Sequence, residues 1–300
     1  MLVTMKEILD RASRGMYGVP APNVGGEREA RAALMVAEEM NSPMIFDVAY
    51  KNHPDIPFFG SYLSRLCEQS KIPVAINLDH GSPDEDMRLV QPMLAVKAGF
   101  TSLMVDRSAW PYEENVKEVQ LIAQLAHAAG MSVEAELGRV GQGQSYENDG
   151  TAHLTDPDQA KDYIERTGID CLAVSVGTAH GAYAGTPKID FERLAAIKEK
   201  TNGFPLVLHG GSGSGDENLK KACELGINKV NVSNELQAAG GRAVQQMDIS
   251  GNGAYKVWAT MVEAWAARLR FLIGNFGCAG KAWQVQPKGV GNAKISYVED

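Results

Sequence analysis

Three hundred residues are enough to bury a sizeable core, and they suit one large α/β domain as well as two smaller ones. No Ser/Pro/Gly-rich linker, long charge run or low-complexity tract divides the chain, so a single domain is expected. With 44% hydrophobic residues and a formal net charge of -8, the protein is expected to be soluble, and nucleic acid is excluded as a natural partner.

Met1 to Asp10 reads as the start of a helix carrying Lys6, Glu7 and Asp10. It resembles neither a secretory core nor a transmembrane span, so no membrane partner and a cytoplasmic location are expected. Apolar runs bounded by Gly, Pro or polar residues then give eight candidate strands: Gly18 to Val24, Pro43 to Ala49, Val74 to Asp79, Ser102 to Asp106, Ser132 to Leu137, Cys171 to Val176, Leu206 to His209 and Lys229 to Ser233. Amphipathic stretches of helical length lie between them, near Glu27 to Met40, Pro83 to Ala98, Glu113 to Ala129, Asp158 to Thr167, Phe191 to Lys200 and Asp216 to Leu225. In the third of these, Val116, Val119, Ile122, Ala123 and Ala126 recur at three- and four-residue steps. A further amphipathic helix is expected over Ala254 to Ile273.

Continuous apolar strands imply a parallel sheet buried on both faces. Eight of them alternating with helices predict an α/β fold, a closed (β/α)8 TIM barrel with an additional C-terminal helix, with an open doubly wound sheet as the competing architecture. Cys67, Cys171, Cys223 and Cys278 are widely spaced with no C-x-x-C, which argues against a disulfide framework and against a cysteine metal site.

Polar residues concentrate at or near the C-terminal ends of the strands: Asp47, Asp79, His80, Asp106, Glu134, Glu136, His180, His209, Asn231 and Ser233. In a barrel these ends form one mouth. His80, His180 and His209 each end an apolar run and each precede glycine. Neutral imidazole is the commonest side-chain ligand for a divalent transition metal, and three of them with one open position is the pattern of a catalytic zinc site. A single histidine in such a run is more often a satisfied core residue; the shared context of three is what favours ligation. Asp79 and His80 are adjacent, so on a regular strand they would face opposite ways, and the strand end must turn for both to reach one site.

The blocks Asn77-Leu78-Asp79-His80-Gly81, Leu103-Met104-Val105-Asp106, Val133-Glu134-Ala135-Glu136-Leu137-Gly138, Gly177-Thr178-Ala179-His180-Gly181-Ala182-Tyr183, His209-Gly210-Gly211-Ser212-Gly213 and Lys229-Val230-Asn231-Val232-Ser233 resemble, in order, the signatures of class II, zinc-dependent ketose-bisphosphate aldolases, the fructose- and tagatose-bisphosphate aldolases among them. The resemblance runs from about Met5 to Ala282, which places the barrel domain at 1–282 and leaves 283–300 as a C-terminal extension. It implies that His80, His180 and His209 hold Zn²⁺, and that Asp79 exchanges the proton of the substrate's C4 hydroxyl. Asp106 and Glu136 match carboxylates at a second or alternative metal position, open to a second divalent or a monovalent cation; orientation of the histidines by hydrogen bonds is an equal alternative, and Glu134 lies on the same strand face. Gly181, Gly210, Gly211, Ser212, Asn231, Ser233 and Asn234 correspond to a phosphate cradle, with Asn234 standing where threonine is common.

The match thins after the fifth strand. There the family carries a glutamate that removes the C1 proton of the triose phosphate, and an ungapped alignment puts Gln144 in its place. Glutamine cannot accept a proton at neutral pH, so the role is expected of Glu147, with Asp149 second. Pro22, Gly25, Gly26, Arg107 and the polar loop Lys51-Asn52-His53-Pro54-Asp55 also depart from the family, at positions where the aldehyde half of the substrate would sit.

The expected activity is reversible cleavage of a phosphorylated ketose, a ketose 1-phosphate or 1,6-bisphosphate, to dihydroxyacetone phosphate and an aldehyde, carried out by a homo-oligomer, dimer or tetramer. Two alternatives stand beside it: a non-catalytic phosphosugar-binding or partner subunit of the same fold, and a zinc hydrolase. Retention of Asp79 beside the three histidines argues against the first, and the phosphate cradle against the second.

Overall fold

The structure, a computed structural model, describes residues 1–50, 53, 55–82, 84, 87–142, 154–181 and 187–284. Its strands are β1 (Val19–Pro22), β2 (Met44–Ala49), β3 (Val74–Asp79), β4 (Ser102–Val105), β5 (Ser132–Leu137), β6 (Gly141–Gln142), β7 (Cys171–Val174), β8 (Ala179–His180), β9 (Leu206–Leu208) and β10 (Ile227–Val232). The helices are α1 (Met5–Gly15), α2 (Glu27–Glu39), α3 (Ile56–Glu68), α4 (Val90–Ala98), α5 (Tyr112–Ala128), α6 (Pro157–Thr167), α7 (Phe191–Lys200), α8 (Asp216–Glu224), α9 (Asn234–Gln245) and α10 (Val257–Asn275).

Eight strands form one all-parallel sheet in the order β1-β10-β9-β7-β5-β4-β3-β2. Its ends meet: Asn23 bridges Asp47 in parallel, and Val24 N–H donates to the Asp47 carbonyl at 2.9 Å. The sheet is thus a nearly closed barrel, as the alternation of apolar strands and amphipathic helices predicts. β6 and β8 lie outside it as a two-stranded parallel ladder pairing Gly141 with Ala179 and Gln142 with His180.

Local sequence explains the helix boundaries. Thr4 and Glu7 form a reciprocal capping box at the start of α1, whose Met5, Ile8, Leu9 and Ala12 are buried against the barrel. Asp156 caps α6, Pro157 occupies its first turn, and Gly168 ends it in the left-handed region. On α5 the buried stripe contains Val116, Val119, Ile122, Ala123 and Ala126, the positions expected from their spacing. The first four residues belong to no helix; Leu2 bridges Val74 instead, so the helix expected from Met1 starts at Met5. Likewise α4 begins at Val90 rather than near Pro83. The four cysteines are buried and unpaired, and no helix of the described residues is long and apolar enough to cross a membrane.

The N-terminal end of the barrel is tied by one buried lysine. Lys198 Nζ donates to Ser13 Oγ at 2.8 Å, to the Phe204 carbonyl at 2.9 Å and to Asn228 Oδ1 at 2.8 Å, joining α1, α7 and the starts of β9 and β10. Burial pushes its pKa down to about 8. Lys198→Met removes the donor shared by these three acceptors, of which Asn228 is buried, so urea unfolding is expected to report a loss of about 1–3 kcal/mol. Activity per folded molecule should be retained, because this end of a barrel carries stability rather than chemistry.

Candidate active site

At the other end of the barrel β3 stops at Asp79, and His80 adopts φ +64° with Gly81 at +65°. Gly81 N–H closes the turn by donating to the Asp79 carbonyl at 2.9 Å. A left-handed backbone is costly for a residue with a Cβ, and it accomplishes the turn that the sequence requires, so Asp79 and His80 serve one site. His180 comes from the end of β8, and His209 directly follows β9. The three rings meet edge to face, with centroids 5.0 Å apart for His80 and His180, 4.9 Å for His80 and His209, and 5.5 Å for His180 and His209. One nitrogen of each lies within 4.8 Å of the others, as do one atom each of His80, Asp106 and Glu136.

Carboxylates occupy the remaining nitrogens of two of these rings. His209 Nε2 lies 2.8 Å from Glu134 Oε1, and His80 Nδ1 lies 3.0 Å from Asp106 Oδ2. Asp106 Oδ1 in turn accepts from Ser108 N–H at 3.0 Å and Ser108 Oγ at 2.8 Å, which holds the carboxylate still. Glu136 Oε1 accepts from Val140 N–H at 3.0 Å, leaving its Oε2 3.7 Å from His209 Nδ1. Both of those last atoms are buried without a hydrogen-bond partner. A buried acceptor oxygen facing a buried imidazole nitrogen is costly unless something positive lies between them, so the donor set fits a divalent cation.

Electrostatics agree with that fit. Burial alone would lower the His80 imidazole, but Asp79 and Asp106 reverse it and push it up to about 10, which measures how strongly the carboxylates favour a positive charge at this point. Burial, together with His209 and His80, drives His180 down to about 3, so its lone pair stays available. Burial, reinforced by Asp106, raises Glu136 to about 7. Asp79 is different: burial works against its charge, yet His80, Lys229 and His209 outweigh it and hold the carboxyl well below its ordinary range. Its oxygens accept from Asn231 Nδ2 at 3.2 Å and from Asn23 Nδ2 at 3.1 Å.

The loop after β9 meets the first turn of α9 through Ser212, whose Oγ accepts from Glu235 N–H at 3.2 Å. Glu235 Oε2 lies 3.3 Å from Arg268 Nη2, so its carboxylate is engaged by α10. Gly210, Gly211, Ser212, Ser233 and Asn234 therefore converge at a helix N-terminus, where backbone N–H groups and the helix dipole favour an anion.

Residues 3–281 match the family model described as Fructose-bisphosphate aldolase class-II. The chain belongs to this family. It is 39% identical over 292 residues to a protein of Geobacillus stearothermophilus named fructose-bisphosphate aldolase, covering 94% of this chain and 99% of that one. Among solved structures, the YdjI aldolase of Escherichia coli K12 superimposes with a TM-score of 0.82 at 31% identity, over 94% of this chain and 100% of the other. A putative fructose-1,6-biphosphate aldolase of Coccidioides immitis gives a TM-score of 0.78 at 25% identity, over 92% and 97% of the two chains. The protein is thus an aldolase of the lyase class on a TIM-barrel scaffold.

Within the aldolase several placements differ from the sequence reading. Arg107 does not reach the mouth: it is buried, with Nη1 donating to the Asp106 carbonyl at 2.8 Å, Nη2 3.7 Å from Glu118 Oε1, and its guanidinium over the Trp110 ring. The Glu118 carboxylate on α5 draws it outward, toward the helix layer, so it belongs to the barrel wall and not to a substrate pocket. Gly25 and Gly26 border a cavity of about 420 Å³ with Trp258, Met261 and Trp265. Glu147 and Asp149 lie outside the described residues. Asn23 escaped the sequence reading although it holds Asp79, because only the register of β1 against β10 and the closure at Asp47 bring it there. Lys229 escaped it too; it sits inside an apolar run, yet its Nζ lies 3.0 Å from Asp47 and 2.8 Å from Glu134 with no solvent exposure.

Two cradle glycines should respond differently to substitution. At Gly210, φ is +66° and a Cβ would lie 2.2 Å from the Ala179 carbonyl oxygen, whereas at Gly181, φ is +87° and among the described residues no atom lies within 4 Å of the Cβ position. Gly181→Ala is expected to cost about 1–2 kcal/mol of backbone strain. Gly210→Ala must also displace β8, so a clearly larger loss is expected in thermal unfolding, with lower soluble yield.

Proposed function

We propose that this aldolase is Zn²⁺-dependent and reversibly cleaves a phosphorylated ketose to dihydroxyacetone phosphate and an aldehyde. The observation that carries this reading is the convergence of three imidazoles from separate strand ends, two of them with their second nitrogen engaged by a carboxylate. His80, His180 and His209 would hold the ion, with Glu136 within reach of the same position. Bound there, Zn²⁺ supplies a Lewis acid for the electron pair that moves onto oxygen when a carbon–carbon bond beside a ketone breaks.

Asp79 acts as the base of cleavage. It is held ionised at neutral pH, and its two oxygens are oriented by Asn231 and Asn23, so it takes the C4 hydroxyl proton as the bond breaks and returns it in the addition direction. The cradle of Gly181, Gly210, Gly211, Ser212, Asn231, Ser233 and Asn234 binds the phosphate of the triose half. Asp106, doubly anchored by Ser108 and bonded to His80, orients that ring rather than holding a second ion. Glu147 is assigned the C1 proton. Its loop leaves β6 at Gln142, which pairs with His180, and the five residues from there to Glu147 can span up to about 17 Å.

The aldehyde half of the substrate is proposed to differ from that of fructose 1,6-bisphosphate, with Gly25 and Gly26 in place of the family's asparagines and open space beside them. The reading also places the enzyme in the cytoplasm, where its free cysteines stay reduced, and as a homo-oligomer, since Met35 on α2, Tyr255, and Trp258 and Phe271 on α10 are large exposed apolar side chains.

The test is aldol addition of dihydroxyacetone phosphate to a panel of neutral, phosphorylated and carboxylated aldehydes, before and after chelation. Chelation should abolish addition and Zn²⁺ restore it, while Asp79→Asn should keep its zinc yet lose about 10²- to 10⁴-fold in rate. Borohydride trapping of a substrate–lysine adduct would overturn the metal assignment. For the loop, Glu147→Gln is expected to slow exchange of the C1 proton with solvent while triose phosphate binding is retained. Unchanged exchange would move that role to Asp149.

A further inference from the structure

Lys229 lies on β10 with no solvent exposure, and its Nζ is 2.8 Å from Glu134 Oε2 on β5 and 3.0 Å from Asp47 Oδ2 on β2. β5 and β10 are not neighbours, since β7 and β9 stand between them, so this contact crosses the barrel interior. The other oxygen of each carboxylate is also committed. Asp47 Oδ1 accepts from Asn77 Nδ2 at 2.9 Å, and Glu134 Oε1 faces His209 Nε2 at 2.8 Å. Lys229 thus forms the base of a chain of contacts, lysine to glutamate to histidine, that ends on an imidazole whose Nδ1 is buried without a hydrogen-bond partner.

A fully buried lysine between two carboxylates is a poor way to stabilise a fold. Desolvation offsets most of the attraction, and apolar residues of similar volume often serve as well. What this arrangement does supply is direction. Lys229 has donors only, so the glutamate oxygen facing it must accept, and an ionised glutamate then offers an acceptor to His209 as well. His209 must therefore carry its proton on Nε2 and present the lone pair of Nδ1 to the mouth.

We propose that Lys229 is a positioning residue that, through Glu134, fixes the tautomer of His209 and thereby its competence to bind the metal. The inference rests on the assignment of His209 as a ligand, but its first readout does not. In Glu134→Gln, Lys229 will hold the amide oxygen, which turns the amide NH₂ toward His209 Nε2 and forces the ring proton onto Nδ1, the nitrogen meant for the metal. Removing the lysine as well frees the amide to reverse, so its oxygen again accepts from Nε2.

The experiment is ¹⁵N NMR of histidine-labelled, metal-free protein at mildly alkaline pH, with zinc affinity measured by competition against a chelator and folding checked by circular dichroism. The wild type should show His209 protonated on Nε2 and Glu134→Gln should show it on Nδ1, with zinc affinity lowered by about 10- to 100-fold. Glu134→Gln combined with Lys229→Met should recover the Nε2 proton and part of the affinity, so that a second buried lesion improves binding. A merely structural lysine predicts the opposite order. Retention of the Nε2 proton in Glu134→Gln overturns the proposal, and that reading stands even if the double variant does not fold. A folded double variant that binds zinc no better than Glu134→Gln overturns it equally. A wild type that carries the Nε2 proton, moved to Nδ1 in Glu134→Gln, but binds no zinc supports the relay and overturns the metal assignment instead.

Discussion

Five carboxyl groups, those of Asp47, Asp79, Asp106, Glu134 and Glu136, converge on the upper interior of this barrel with one ammonium, that of Lys229, and three imidazoles. Charges removed from water must be balanced locally or lose their protonation state. The consequences are visible throughout the site: burial raises Asp47 to about 7 despite Lys229, Glu136 rises to a similar value, and His80 is pushed toward the cation. One lysine cannot neutralise five carboxyls. The deficit of positive charge favours a further cation at the mouth, whereas Asp79 stays ionised because His80, Lys229 and His209 surround that one carboxylate.

The barrel makes this balance possible by separating tasks along its axis. At the N-terminal end, Lys198 is satisfied by neutral acceptors, and the surrounding strands are buried. Toward the C-terminal end, every second residue of β3 and β10 is polar: Asn77 and Asp79 on one, Lys229 and Asn231 on the other. Alternation places each pair on a single face, and the contacts between strands that are not neighbours show that the face is the interior. Each register is pinned by a neighbouring strand, Ala49 opposite Asp79 and Ala21 opposite Asn231, so a slip of one residue would turn the whole polar set outward.

Much of this was legible in the sequence, because parallel strands announce themselves as apolar runs and strand ends are where a barrel keeps its chemistry. β2, β3 and β5 fall within a residue of the expected spans, and the adjacency of Asp79 and His80 demanded the turn that His80 makes. What escaped depended on contacts rather than pattern. β6 and β8 have two residues each, too short for any periodicity, and exist only because they pair with one another. Helices α3 and α9 were not singled out: α3 carries Gly60 and a Pro near its start, and α9 carries Gly240 and Gly241, both of which weaken a helical signal. Lys229 and Asn23 both read only as parts of strands, since nothing local to either marks a partner that lies across the barrel.

Arg107 and Lys229 show why charge alone is a poor guide to function from sequence. Arg107 follows the end of β4 and Lys229 lies inside β10, and both are buried. Arg107 finds its carboxylate partner outward, on α5, and so contributes to the wall. Lys229 finds its partners inward, on β2 and β5, and one of those partners touches a histidine of the mouth. For Lys229 strand parity decides, because its offset within β10 points it to the barrel axis, whereas Arg107 lies beyond the end of β4 and turns to the helix layer. A charge on the inner parity of a barrel strand cannot reach solvent, so it persists only where other inward residues complete it. Such charges therefore come as sets, and a set that ends on a functional side chain transmits its geometry to the chemistry above it.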